Sequence, residues 1–266
     1  MMSPQELLEH FDKASLWSSS ALSAPGFDLA AAYQQALAVR ALRVARGEQP
    51  AGYKIGFTNR HIWQRYNVFA PIWGPVWRSS LYLCDGNGEI ALDNTCQPRI
   101  EPEAVFCMRS TPPAGVTLEG LFHCLDWVAP GFEIVQSHQP EWKFAAPHAV
   151  ADGALHASLL VGAGVPAHKL AGDAASLNKI LSSARVTLTC GGRPVDQGTG
   201  ANVLDGPLHA LLHFLNELRA CPGAPDLQAG DVVTTGTWTD AWPVAPGEQW
   251  KAAFDPPLAD LTVRFT

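Results

Sequence analysis

Two carboxylates stand one residue apart in Arg99-Ile100-Glu101-Pro102-Glu103-Ala104-Val105-Phe106-Cys107-Met108, and a third, Glu133, sits inside the apolar run Gly131-Phe132-Glu133-Ile134-Val135. If each run is a strand, side chains alternate between its faces. Glu101 and Glu103 then share a face with Val105 and Cys107, and Glu133 shares one with Val135. Acids so placed turn toward a core. Burying ionised carboxylates is costly unless something offsets their charge, and hard oxygen donors grouped in this way suit Mg2+ or Mn2+. The same spacing also fits a solvated strand edge. Pro102 speaks for that alternative, because proline has no ladder donor and favours edges.

Other residues could serve such a centre. Gly52-Tyr53-Lys54-Ile55-Gly56-Phe57-Thr58 puts one lysine in an apolar, strand-like segment. Burial would lower its pKa and make it a proton donor or acceptor near neutral pH, whereas a nearby carboxylate would keep it charged. The plainer reading is a lysine that snorkels from a strand end. Lys143, beside Trp142, could bring a second cation to the acids or lay its stem on the indole. Asp152, in Val150-Ala151-Asp152-Gly153, reads first as a helix cap or turn residue and second as a ligand. The stretch 227–239 reads as turn, strand and hydroxyl-rich glycine turn. Gly236, Thr237 and Thr239 there could offer N–H groups and hydroxyls to an anion, or cap a strand end. None of the nine histidines has a companion at metal or triad spacing, and no GxSxG or GxGxxG motif is present.

A chain of 266 residues with 47% hydrophobic content can bury a sizeable core. Its net charge of −7 and the lack of a Lys/Arg cluster argue against nucleic acid or an anionic membrane as partner, leaving small molecules. The N-terminus shows no basic stretch followed by an apolar one, and no run approaches about 18 apolar residues, so the expected location is the cytoplasm. Six cysteines without a CxxC pair read as free thiols, with neither zinc nor a disulfide frame indicated.

These side chains need elements to hold them. Residues 4–46 carry Ala and Leu at helical spacing and predict two helices, the second opened by Asp28 as N-cap. They form an expected N-terminal helical extension over 1–50, with the catalytic domain over 51–266. Beyond residue 52, Gly and Pro punctuate short apolar runs at 80–83, 105–108, 158–161 and 185–189 that predict strands. Helices are predicted at 118–129 and at 207–221, where Leu208, Leu211, Leu212, Leu215 and Leu218 line one face. Without regular βαβ alternation the fold class is α+β on a large mixed sheet, rather than a Rossmann fold or barrel.

The order of these pieces resembles the 2-keto-4-pentenoate hydratase and 4-oxalocrotonate decarboxylase family of the fumarylacetoacetate hydrolase superfamily. The resemblance rests on Gly52-Tyr53-Lys54-Ile55-Gly56, Gln97-Pro98-Arg99-Ile100-Glu101-Pro102-Glu103, Phe132-Glu133-Ile134-Val135, Val150-Ala151-Asp152, Asn202-Val203-Leu204 and Ala229-Gly230-Asp231-Val232-Val233. It implies a large mixed β-sheet roll, Mg2+ or Mn2+ on Glu101, Glu103 and Glu133, and Lys54 as acid/base group. Lys143, Asp152, Gly236, Thr237 and Thr239 become the expected substrate contacts, and Trp73, Trp77, Trp238 and Trp242 a possible aromatic pocket.

The resemblance further implies a homo-oligomeric hydratase acting on a 2-hydroxy-2,4-dienoate or related 2-keto acid. A decarboxylase of a 4-oxalocrotonate-like substrate is the alternative. So are an acylpyruvate hydrolase using His138, His148 or His156 as base, and a catalytically weak binding subunit partnering a decarboxylase. The family pattern is broken where Gln136-Ser137-His138 replaces Asp-Ser-Arg, where Gly153 replaces Asn, where His148 replaces an aspartate, and at His156, where small or hydroxyl residues are common.

Overall fold

The structure, a computed structural model, describes residues 2–18 and 27–266. Past residue 50, short runs of β-branched and aromatic residues broken by Gly and Pro favour strands. They form β1 (Pro50–Gly56), β2 (Ile72–Trp77), β3 (Leu81–Leu83), β4 (Asn87–Ile90), β5 (Arg99–Met108), β6 (Leu125–Val135), β7 (His156–Val161), β8 (Val165–Pro166), β9 (Arg185–Cys190), β10 (Arg193–Thr199), β11 (Val232–Thr234), β12 (Trp242–Pro243), β13 (Gln249–Phe254) and β14 (Leu261–Phe265). A nine-stranded sheet follows the order β2-β1-β11-β5-β6-β7-β3, with β12 added beside β5 and β8 beside β6; a five-stranded sheet runs β10-β9-β13-β14-β4. Parallel pairings of β1 with β11 and of β3 with β7 make the large sheet mixed. The architecture is α+β, as the element order predicts.

Alternation divides the large sheet cleanly. Ile100, Phe106, Phe132, Ile134 and Leu160 enter the main core, where the helix Pro207–Ala220 and the inward residues of β9, β13 and β14 cover them. The opposite face carries a smaller apolar patch of Val105, Ala129, Leu159, Val161 and Val232, and the acids lie on this face. The edge alternative fails here, since Glu103 and Glu133 are fully buried. Pro102 is tolerated because its carbonyl turns away from β6, accepting the Trp238 N–H at 3.0 Å, between the stretches of β5 that pair with β11 and β12. Its missing donor therefore breaks no ladder bond.

Both N-terminal helices form, at Pro4–Lys13 and Leu29–Ala45. Ser3 and Glu6 make a reciprocal capping box, and Asp28 caps the second helix through the Ala31 N–H. The stretch 19–26 between them lies outside the described residues. Leu7, Trp17, Ala32 and Val39 pack on Ala149, Val150 and Ala154, so the helices cover the segment behind the acids.

Two helical expectations are corrected. The predicted helix at 118–129 ends at His123, because the apolar run from Leu125 pairs along β5 as far as Arg99 and that ladder overrides helical spacing. Helices also form at Ala146–Ala151, Ala167–Leu170 and Ala174–Ser183, in a region read as mainly strand. The last is capped by Asp173 and buries Leu177 and Leu181, an i,i+4 pair. All six cysteines are free thiols. Among the described residues no helix is long and apolar enough to cross a membrane.

Candidate metal centre

Strand register assembles the acids. Glu101 pairs directly with Glu133 and Glu103 pairs with Gly131, so all three carboxylates leave the same face of two neighbouring strands. Lys54 joins them through two further pairings: Gly52 is level with Val232, and Val232 with Cys107, which puts the even positions of β1 on the acid face. Its Nζ lies 3.3 Å from Glu133 Oε2. The Gly236 N–H donates to Glu103 Oε2 at 2.7 Å. Gly236 has φ +98°, and a Cβ there would lie 1.9 Å from Thr58 Oγ1, so the turn needs glycine. His156 Nδ1 donates to Glu133 Oε1 at 2.9 Å, since a carboxylate only accepts.

One oxygen from each of Glu101, Glu103 and Glu133 lies within 4.8 Å of the others. At an effective dielectric of about 20, two unit charges at that spacing repel by about 3 kcal/mol. Three such pairs face one buried ammonium. The consequences differ by residue. Burial, outweighing the attraction of Lys54 and added to by Glu133, pushes the Glu101 carboxyl up to about 7. Burial and the two neighbouring acids push Glu103 well above the ordinary range. Burial opposes ionisation of Glu133 too, but Lys54 and the His156 N–H outweigh it and hold its carboxyl low. Burial likewise opposes charge on Lys54, and Glu133, Glu101 and Glu103 together hold it above the ordinary lysine value.

Glu103 Oε1 and Glu133 Oε2 are buried yet accept no hydrogen bond. A cluster short of positive charge, with unused oxygens converging from three carboxylates, fits a hard divalent cation such as Mg2+ or Mn2+.

A cavity of about 240 Å3 opens over Lys54 and Glu101. Phe57, Tyr66, Phe144 and Trp142 form its aromatic wall, with Phe57 stacked on Tyr66 at 4.7 Å and Tyr66 on Phe144 at 5.7 Å. The Arg99 guanidinium, also in the wall, lies 4.4 Å from the Trp142 ring. The expected tryptophans 73, 77, 238 and 242 are not in this wall; the first three are core residues. Gly236, Thr237 and Thr239 do line the cavity. Their turn is already bonded internally: the N–H groups of Trp238 and Thr239 go to Pro102 O and Thr237 Oγ1, and the hydroxyls of Thr237 and Thr239 to the carbonyls of Thr239 and Asp240.

Two expected substrate contacts lie elsewhere. Lys143 is 79% exposed and pairs with Glu141, because a short helical turn at Pro140–Trp142 presents the indole to the cavity and the lysine to solvent. Asp152 is buried away from the cavity: its Oδ1 lies 2.6 Å from His138 Nδ1, and its Oδ2 accepts the His138 N–H at 2.9 Å. Burial opposes charge on His138, but Asp152 dominates and pushes the imidazole up to about 10. Phe11 and Trp17 pack on the ring at 4.7 and 5.9 Å, and the Trp17 N–H donates to His138 O. His138 thus supplies Asp152 with a cationic partner. Gln136 bridges the Cys96 N–H and the His156 carbonyl.

None of His138, His148 and His156 lines the cavity. The site residues missed from sequence are Phe57, Tyr66 and Phe144 of the aromatic wall. His156, read there as a candidate base, is instead the partner of Glu133. Phe57 adjoins the glycine-flanked lysine segment and was the one available signal.

No protein-family profile matches the chain. Among curated proteins, a 2-hydroxyhexa-2,4-dienoate hydratase of Comamonas testosteroni is 31% identical over 236 residues, 88% of this chain and 85% of the relative. A 4-oxalocrotonate decarboxylase of a Pseudomonas species is 33% identical over 205 residues, 77% of this chain and 75% of its own. Among solved structures, the 4-oxalocrotonate decarboxylase from Pseudomonas putida G7, complexed with magnesium and adipate, matches with a TM-score of 0.86 and 25% identity, over 100% of this chain and 99% of that one. Identity of this extent, on the same fold, carries the conclusion that the chain belongs to the 2-keto-4-pentenoate hydratase and 4-oxalocrotonate decarboxylase family.

Proposed function

We propose that this protein is a divalent-metal-dependent hydratase that adds water to a 2-hydroxy-2,4-dienoate, giving a 4-hydroxy-2-oxo acid in the catabolism of aromatic or steroid compounds. The observation that carries it is the under-neutralised triad Glu101, Glu103 and Glu133 with Lys54 beneath a cavity that has one aromatic wall. These three acids hold Mg2+ or Mn2+. When bound, such a cation draws charge from a 2-oxo acid and stabilises the enolate formed when a proton leaves it.

The chain's own groups manage the protons. In the first stage the enol O–H of 2-hydroxypenta-2,4-dienoate gives up its proton and C5 gains one, leaving a 2-oxo-3-enoate. In the second, water bonds through oxygen to C4 and a proton reaches C3, for a net gain of one water. Lys54, held as ammonium by the acids, gives and retakes the moving proton. The stacked wall of Phe57, Tyr66 and Phe144 suits a flat conjugated chain and keeps bulk water away from it. Thr237 and Thr239 receive the substrate carboxylate by exchanging their present bonds to nearby carbonyls. Asp152 acts at a distance, fixing the segment that brings Ala154 and Leu155 to the cavity. Lys143 has no part in binding.

A decarboxylase is the second reading, favoured by Arg99 and Arg65 in the cavity wall, where a second carboxylate could pair. A catalytically weak subunit is disfavoured by the intact acids and lysine. The same proposal includes a cytoplasmic homo-oligomer. Anaerobic incubation with Mg2+ and either 2-hydroxypenta-2,4-dienoate or 4-oxalocrotonate, with products followed by NMR and released CO2, tests it. Formation of 4-hydroxy-2-oxopentanoate from the first is expected. CO2 from the second with no hydration of the first would overturn the hydratase in favour of the decarboxylase.

A further inference from the structure

His156 is a buried imidazole with both nitrogens engaged: Nδ1 lies 2.9 Å from Glu133 Oε1, and Nε2 lies 3.2 Å from Ser80 Oγ. Resting on the metal-centre reading above, we infer that His156 is a positioning residue that clamps Glu133, fixing Oε1 so that Oε2 is presented to Lys54 and the cation.

The strand register explains how it comes to be there. Along the β6 and β7 ladder Glu133 is level with Leu159 and Ile134 with Ser158, but Val135 is level with His156, so β7 carries one extra residue. Without it Ala157 would oppose Val135. The bulge turns His156, in place of that alanine, onto the face of Glu133. Because Glu133 only accepts, Nδ1 carries the proton and Nε2 of the neutral ring accepts from the Ser80 hydroxyl. The Ser80 oxygen accepts the Trp77 N–H at 3.3 Å, and its single proton lies between His156 Nε2 and Trp77 O, each 3.2 Å away. The ring is therefore gripped at both ends. A carboxylate with one oxygen tied in this way cannot swing both toward Lys54, so part of the ordering a cation would otherwise impose is already in place.

A direct role on substrate does not fit. His156 borders a separate cavity of about 160 Å3, shared with Ser80 and Gln136, and not the one above Lys54.

The test is Mn2+ affinity, read from the EPR signal of free Mn2+, on the full-length wild type, His156→Phe, His156→Asn and Ser80→Ala, with thermal unfolding in chelator as a separate readout. Loss of the ring nitrogens in His156→Phe should weaken Mn2+ binding about 10- to 100-fold. His156→Asn, whose amide can replace the Nδ1 donor, should recover most of it. A merely structural histidine would move the unfolding temperature and leave Mn2+ affinity alone. Wild-type affinity in His156→Phe overturns the inference. If that variant does not fold, Ser80→Ala decides: severalfold weaker binding supports the clamp and unchanged binding overturns it. Failure of the wild type to bind Mn2+ would instead overturn the metal-centre reading, and the clamp with it.

Discussion

The segment from Glu133 to His156 contains two histidine–carboxylate pairs, one nested in the other. In the inner pair, His138 satisfies both oxygens of Asp152, at 2.6 and 2.9 Å, and Phe11 and Trp17 seal the ring. In the outer pair, His156 takes one oxygen of Glu133 and leaves the other facing Lys54 and two more acids. Both are buried, and both tie β6 or the loop just after it to the chain that follows the helix Ala146–Ala151. They differ in how fully the carboxylate is bonded. A buried pair whose two carboxylate oxygens both accept hydrogen bonds holds structure, whereas one that leaves a carboxylate oxygen pointing at like charges is arranged for something that arrives later.

Substitutions can break that contrast from either side. The largest effect is expected in the open cluster: Glu103→Gln should cost turnover about 1,000-fold or more, or about 4 kcal/mol of barrier, and abolish Mn2+ binding. Its thermal stability in chelator should hold or rise, because carboxylate repulsion is relieved; steady-state kinetics and calorimetric unfolding read the two effects. Lys54→Met should lower turnover about 100-fold or more while Mn2+ still binds, separating proton transfer from metal capture. In the closed pair the signature reverses. Asp152→Ala leaves a buried imidazole without its partner, at a cost of about 3 to 5 kcal/mol and a fall in Tm of about 10 °C, while the folded fraction keeps near-wild-type Mn2+ affinity.

The smallest effect is one of pH. His138 is pushed up to about 10 in the folded chain, above its unfolded value of about 6.5. Its stabilising contribution is complete below about pH 6.5 and is lost as pH rises through about 10. Differential scanning calorimetry from pH 6.5 to 10 should show Tm falling by several degrees, and less so in His138→Arg, whose guanidinium does not titrate in that range.

Legibility in the sequence follows the same division. Glu101 and Glu103 were readable because a two-residue period fixes a shared face, and Lys54 because a lone lysine in an apolar strand is conspicuous. Their meeting with Glu133 depends on register across β5 and β6, which spacing within one strand suggests and only pairing decides. The bond from His156, read in the sequence as a candidate base, to Glu133 was opaque because a single extra residue in β7 reverses its face. The partnership of His138 with Asp152 was opaque too, since it closes across a helix and through contacts from the N-terminal segment. Lys143 misled because its neighbour Trp142 takes the cavity position. The helix at 118–129 was overextended because periodicity does not reveal that β5 is waiting to pair.

The central claim is that Glu101, Glu103 and Glu133 hold a divalent cation on which hydration depends. The most direct test strips the protein with chelator and follows 2-hydroxypenta-2,4-dienoate by NMR before and after Mg2+ or Mn2+ is restored, with Glu103→Gln alongside. The account predicts no 4-hydroxy-2-oxopentanoate without metal, recovery on adding it to the wild type, and none in the variant. Equal turnover by the stripped wild type, or metal-restored turnover by Glu103→Gln, would contradict it.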